Sequence, residues 1–212
     1  MIKVYYAYSE YISEDALYQE IKPLPKLVQS RLESFKRKED RLIRMTAYYL
    51  LKQALEKNGR LGYRLPDLQY TAEGKPFFTG TDFDFSISHT EQCAAVAISD
   101  RRVGIDIEKV KTIDFNDFKN IFPGGVWNSI NTSADKTGTF YSYWTILESA
   151  VKADGRGLPL TSSNHLEIKT HHVIIEGEKW YTQHLCFDRT ISCCIASDRK
   201  QEAIQLTEVK LP

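Results

Sequence analysis

The run Phe83–Glu108, FDFSISHTEQCAAVAISDRRVGIDIE, decides the fold class. It contains three strand-like stretches, FDFSIS (Phe83–Ser88), CAAVAIS (Cys93–Ser99) and RVGIDIE (Arg102–Glu108), separated by short polar turns. That spacing predicts an antiparallel meander. Upstream, Ile2–Tyr8 reads as a further strand, and a short helix is expected from the N-cap Ser13 to the break at Pro23 and Pro25. Lys38–Lys57 reads as a strong helix, because Ile43, Ala47, Leu50, Leu51, Ala54 and Leu55 recur at helical spacing and Asn58-Gly59 offers a stop.

Downstream, helical signals occur at Phe115–Phe122 and Phe140–Ala153. Strands are expected at His165–Lys169, His172–Ile175, Lys179–Phe187 and Thr190–Ser197. The order strand, helices, strands therefore occurs twice, and CAAVAIS resembles the later ISCCIAS. We expect an α+β chain built by pseudo-twofold duplication: two similar α/β halves, 1–100 and 101–212, each with a largely antiparallel sheet packed on helices. A site in the cleft between the halves would follow, and a monomer would suffice to form it.

The 212 residues carry 28 basic and 28 acidic side chains, 42% hydrophobic and 26% charged residues. This is ordinary globular composition, which excludes a disordered chain, a collagen-like repeat and a coiled coil. No run approaches the about 18 apolar residues of a membrane span, and the start MIKVYYAYSEY has no long apolar stretch of a leader, so a soluble, cytoplasmic protein is expected. Zero net charge argues against general nucleic-acid or membrane-surface binding. The balance hides a local asymmetry: between Lys26 and Arg64 lie eleven basic and four acidic residues, a surplus of seven. That run reads either as a solvated helix surface or as an anion site. The four cysteines, 93, 186, 193 and 194, have no CxxC spacing and read as buried reduced thiols in strands.

Three constellations carry chemistry. In Val103-Gly104-Ile105-Asp106-Ile107-Glu108, strand alternation sends Val103, Ile105 and Ile107 into the core and Asp106 and Glu108 together to the other face. Solvation could offset their repulsion; a hard cation such as Mg²⁺, shared with phosphate oxygens, is the functional alternative. In Trp144-Thr-Ile-Leu-Glu148-Ser-Ala-Val-Lys152, Glu148 and Lys152 share one helix face beside an apolar stripe of Trp144, Leu147 and Val151. This is a plain ion pair, or a third carboxylate with a phosphate-binding cation. Ser88-His89, at the end of a strand, offers two donors to phosphate. A Ser/His hydrolase is disfavoured because no GxSxG elbow is present. His165, His171, His172 and His184 show no zinc spacing.

Taken in order, GKPFF (Gly74–Phe78), FSISH (Phe85–His89), VGIDIE (Val103–Glu108) and WTILESAVKADGRGL (Trp144–Leu158) resemble the surfactin-synthetase-activating type of 4′-phosphopantetheinyl transferase. The resemblance covers about 38–160. It implies the fold of that family and transfer of the phosphopantetheine arm of coenzyme A to a serine of an apo acyl or peptidyl carrier protein, with release of adenosine 3′,5′-bisphosphate. It further implies that Asp106, Glu108 and Glu148 hold Mg²⁺, with Lys152 beside the phosphate and Glu148 and Lys152 as the catalytic pair. Lys75, Ser88 and His89 would meet the nucleotide phosphates, His89 favouring the 3′-phosphate. Arg44 resembles the remaining phosphate-binding cation, with Arg31 assisting and Arg41 as an alternative register.

Three positions depart from the family pattern. Leu147 replaces a Lys, Ser86 replaces an Asn, and Asn120–Trp127 lacks the carboxylate proposed to deprotonate the carrier serine, which leaves Glu148 or a metal-bound water for that role. The segment 122–133, with Val126, Trp127 and Ile130, reads equally as a carrier-docking loop or as core. Two other functions compete: a non-catalytic coenzyme A or nucleotide-binding module, and a metal-dependent phosphohydrolase, for which no second carboxylate cluster is present.

Overall fold

The computed structural model describes residues 1–10, 12–118, 121–157, 166–200 and 202–212. The chain divides into two units, Met1–Asp100 with Ala203–Pro212, and Arg101–Glu202. The first contains β1 (Ile2–Tyr8), α1 (Glu14–Ile21), α2 (Lys26–Ser34), α3 (Lys38–Lys57), β2 (Gln69–Tyr70), β3 (Pro76–Phe77), β4 (Asp84–His89) and β5 (Cys93–Ser99). The second contains β6 (Val103–Lys109), α4 (Gly124–Thr132), α5 (Lys136–Asp154), β7 (Leu166–Lys169), β8 (His172–Ile175), β9 (Glu178–Leu185) and β10 (Ile191–Ser197). The last strand, β11 (Ile204–Glu208), belongs to the first unit. Among the described residues no helix is long and apolar enough to cross a membrane.

In the first unit the sheet order is β11-β1-β5-β4, with β11 parallel to β1 and the other pairs antiparallel. Sheet and helices close on one core, in which α3 contributes Ile43, Leu50, Leu51 and Ala54 opposite Tyr5, Phe85, Ala94 and Val96. Helix α3 spans the predicted residues because these apolar positions fall on one side, acidic Glu39 and Asp40 open it, and Lys57 closes it in keeping with the helix dipole. Ser13 caps α1 as expected, its Oγ accepting from Ala16 N at 3.5 Å. Helix α2 was not anticipated. It forms on Val28 and Leu32, both buried, a pair at i and i+4 within a basic segment.

The second sheet runs β6-β10-β9-β8-β7 with every pair antiparallel. Helix α5 and Trp180, Phe140 and Ile130 form its core. Asp154, at the C-terminal end of α5, is an acid where the helix dipole disfavours one. Arg156 offsets this with two side-chain bonds, Nε to Oδ2 at 2.8 Å and NH2 to Oδ1 at 2.6 Å, and Gly155 makes the turn at φ 78°. Arg102 donates to the Asp154 carbonyl at 2.6 Å and lies 4.4 Å over the Trp180 ring, so the helix end is tied to β6 and β9.

Four expectations are corrected. The meander ends after β4 and β5: β5 is bonded on both edges, to β1 and β4, so β6 pairs with β10 in the second sheet. Residues 203–212, expected in the second half, return to the first, where β11 extends the sheet beyond β1. Among the described residues of the expected helix at Phe115–Phe122 lies a 3₁₀ turn, Phe115–Phe118, and the next α-helix is α4, inside the segment weighed as a docking loop. Its Gly124-Gly125 start masked the helical spacing of Val126 and Ile130, which are buried in the core. The expected first strand residue His165 and motif residue Leu158 lie outside the described residues, as does Asn120. Cys93, Cys193 and Cys194 are buried free thiols, whereas Cys186 is exposed.

Burial works to raise the Asp154 pKa, but the side-chain and backbone bonds from Arg156 and the charges of Arg156 and Arg102 outweigh it and hold the carboxyl below its usual 3.8. A depressed folded pKa adds stability above the unfolded value that disappears as pH falls through the folded one. Asp154→Asn should therefore cost about 1–3 kcal/mol in urea melts at neutral pH. The gap from the parent should close in acid below 3.8; a pH-independent gap would contradict the assignment.

Candidate active site

Gly104 is where the second unit's site is set. A Cβ there would overlap the backbone oxygen of Ser149 and lie 2.5 Å from the Ala153 nitrogen, so α5 rests directly on the β6 backbone. Along α5, residues at i and i+4 advance about 6 Å; along β6, residues at i and i+2 advance about 6.7 Å. Trp144 and Lys152, two such helix steps apart, therefore bracket the one strand step from Asp106 to Glu108 and reach it with long side chains. Lys152 Nζ donates to Asp106 Oδ1 at 2.7 Å and Trp144 Nε1 donates to Glu108 Oε1 at 3.2 Å. Glu148 lies midway between Trp144 and Lys152 on that face.

The Asp106 and Glu108 face of β6 is thus covered by α5 instead of open to water, and Asp106 is 3% exposed. The other face, Val103, Ile105 and Ile107, is fully buried as expected. Burial, then the Asp106 charge, raises Glu108 to about 7, against the opposing bond from Trp144 and the Lys152 charge. Burial and Asp106 likewise raise Glu148, while Lys152 works to lower it. Three carboxylates and one ammonium in a poorly solvated place leave negative charge in excess.

Those oxygen donors suit a hard divalent cation, which takes carboxylate oxygens and would offset the repulsion that raises Glu108 and Glu148. Among the described residues, no three His, Cys, Asp or Glu side chains are disposed to hold a metal ion as they stand. The expected set of Asp106, Glu108 and Glu148 is close enough to interact electrostatically, but Lys152, expected beside a phosphate, is on Asp106. An ammonium is the strongest donor in reach of that buried carboxylate.

In the first unit, Arg31 of α2 lies 5.2 Å over the Tyr70 ring, and the Tyr70 and Tyr48 hydroxyls are 2.8 Å apart. Burial raises the Tyr48 hydroxyl, and the charges of Arg31 and Arg44 act in the opposite direction. Arg44 stacks on Phe35 at 3.8 Å and donates to the Asp40 carbonyl at 2.8 Å. Arg41 is committed elsewhere: it binds both Glu14 oxygens, at 2.8 and 3.2 Å, and the Phe35 carbonyl. Lys52 similarly bonds Glu20 at 3.1 Å. Part of the basic run therefore fastens α1 to α3.

Lys75 forms an ion pair with Asp84 at 2.9 Å, at the start of β4. Ser88 and His89 stand at its end, about 13 Å along the strand. Ser88 is paired with Ala95 and His89 with Ala94, so their side chains leave opposite faces. The structure does not gather Lys75 with Ser88 and His89. Of the departures, Leu147 and Ser86 are both buried. The Trp144 N–H is the element that sequence reading missed; its position four residues before Glu148 was the available signal.

Residues 102–204 match the model of the 4′-phosphopantetheinyl transferase superfamily. The chain is 34% identical to 4′-phosphopantetheinyl transferase gsp of Aneurinibacillus migulanus over 57% of this chain and 54% of that protein. It is 28% identical to the L-aminoadipate-semialdehyde dehydrogenase-phosphopantetheinyl transferase of Xenopus laevis, over 75% of this chain and 58% of the relative. To 4′-phosphopantetheinyl transferase Sfp of Bacillus subtilis (strain 168) it is 27% identical, over 62% and 60%. The chain thus spans between 54% and 60% of the length of these relatives.

The Gly104 contact gives a direct test: Gly104→Ala must push α5 from β6, lowering stability by about 3 kcal/mol in urea unfolding. A change below about 0.5 kcal/mol would contradict the close approach. The segment that matches the model of the 4′-phosphopantetheinyl transferase superfamily contains the whole of this helix-on-strand arrangement, and the three relatives named above are similar to the chain at 27–34% identity.

Proposed function

We propose that this protein transfers the 4′-phosphopantetheine group of coenzyme A to a serine hydroxyl of an apo acyl or peptidyl carrier protein. The observation that carries this reading is the Asp106 and Glu108 pair lying under Trp144, Glu148 and Lys152, within the segment that matches the superfamily. In the reaction the serine oxygen attacks the phosphorus that bears the pantetheine arm, the pyrophosphate bond breaks, and adenosine 3′,5′-bisphosphate departs.

Asp106, Glu108 and Glu148 would hold Mg²⁺. A cation held there would neutralise pyrophosphate charge and the charge that grows on the leaving phosphate. Lys152, within reach of Asp106, supplies a mobile cation for the same phosphates. The serine proton goes to Glu148 or to a water beside these carboxylates. Arg31 and Arg44, held on Tyr70 and Phe35, serve the phosphates of coenzyme A. A cytoplasmic setting is consistent with coenzyme A as the donor.

The test is incubation with coenzyme A, Mg²⁺ and several apo carrier proteins, followed by mass spectrometry of the carrier. The expected result is a carrier bearing one phosphopantetheine, with transfer reduced on the order of a hundredfold or more in Asp106→Ala and Glu148→Ala. Coenzyme A binding without transfer to any carrier would point instead to a non-catalytic binding module. Phosphate release without a carrier would point to a hydrolase.

A further inference from the structure

We infer that Trp144 is a positioning residue, whose indole N–H holds one oxygen of the Glu108 carboxylate and leaves the other for a divalent cation. This rests on the metal reading of Asp106, Glu108 and Glu148 given above. The indole nitrogen of Trp144 donates to Glu108 Oε1 at 3.2 Å. An indole is a donor only, with one hydrogen and no change of charge or tautomer, so it can hold just one carboxylate oxygen and leaves the other for a cation.

The ring itself is held from several sides. It stacks on Phe140 with centroids 5.9 Å apart and planes at 15°, and meets the edges of Phe118 at 5.6 Å and Phe122 at 6.3 Å. The Phe140 stack and the Phe118 edge leave the indole little freedom to rotate and set the N–H direction, whereas Phe122, the most distant of the three rings, adds packing alone. Glu108 has several rotatable bonds and would otherwise lose that freedom when a cation binds. Asp106 is shorter and already bonded to Lys152 at 2.7 Å, so each carboxylate of the strand receives one donor from the helix, Lys152 on one and Trp144 on the other. Partners that orient metal-binding carboxylates in this way typically change metal affinity by 10–100-fold.

A purely structural tryptophan would contribute packing alone. Trp144→Phe keeps an aromatic ring in the cage and removes the donor. Phe122→Leu loosens the same cage and keeps the donor. The readout is Mn²⁺ binding to the full chain in the presence of coenzyme A, measured by the electron paramagnetic resonance signal of free Mn²⁺, beside thermal unfolding and the dependence of transfer on metal concentration.

Trp144→Phe is expected to bind Mn²⁺ about tenfold more weakly. Its unfolding temperature should stay near that of the parent, and excess metal should restore most of the maximal rate. Phe122→Leu should bind Mn²⁺ as the parent does. Parent-like Mn²⁺ binding by Trp144→Phe, or equal weakening in both variants, would overturn the positioning role and leave the metal reading standing. Failure of Trp144→Phe to fold would show that the bond supports the fold, which also overturns it. A parent protein that binds no Mn²⁺ would overturn the metal reading and this inference together.

Discussion

The absence of a side chain at Gly104 is the constraint on which the second unit's site depends. It lets the backbone of α5 settle on β6, touching at Ser149 and Ala153. From that contact the long side chains of α5 reach the strand: Lys152 and Trp144 stand about 12 Å apart along the helix and close inward from either side on Asp106 and Glu108, about 6.7 Å apart on β6. The Asp154, Arg156 and Arg102 ties then keep the end of the helix in place one residue beyond Ala153. Packing fixes the positions, and the positions concentrate charge.

That concentration costs stability. Burying carboxylates beside one another disfavours ionisation, as the elevated proton affinities of Glu108 and Glu148 show, and a protein with no use for the charges would do better with apolar residues there. Functional sites are where such costs are met. Cys194, directly across from Asp106 in the sheet, marks how apolar the surroundings are: burial pushes its thiol up to about 12. The cations of the first unit divide differently. Arg41 and Lys52 hold α1, whereas Arg31 and Arg44 rest on the aromatic faces of Tyr70 and Phe35.

Much of this was legible in the residues, for reasons that can be named. Helix α3 could be read because its apolar positions repeat over 20 residues, and β6 because Val103, Ile105 and Ile107 alternate with charge. The likeness of CAAVAIS to ISCCIAS also has a counterpart: β5 and β10 are each bonded on both edges and almost wholly buried. Helix α4 was illegible because two glycines open it, and the return of β11 because strand pairing between residues about 200 apart leaves no local mark. The division of labour among the basic residues was hidden for the same reason: whether an arginine serves the fold or a ligand depends on what lies opposite, Glu14 for Arg41 and an aromatic ring for Arg44. Trp144 was read as apolar because its ring is, and its one polar atom found a partner 36 residues away.

The central claim is that the β6 and α5 carboxylates form a metal site that works on coenzyme A. Crystals of the full chain grown with coenzyme A and Mn²⁺, measured at the manganese absorption edge, address it most directly. The expected result is one strong anomalous peak within about 2.5 Å of carboxylate oxygens from Asp106, Glu108 and Glu148, with a coenzyme A phosphate oxygen completing the set. A peak bound elsewhere, or coenzyme A ordered in the crystal with no peak at these three residues, would contradict it.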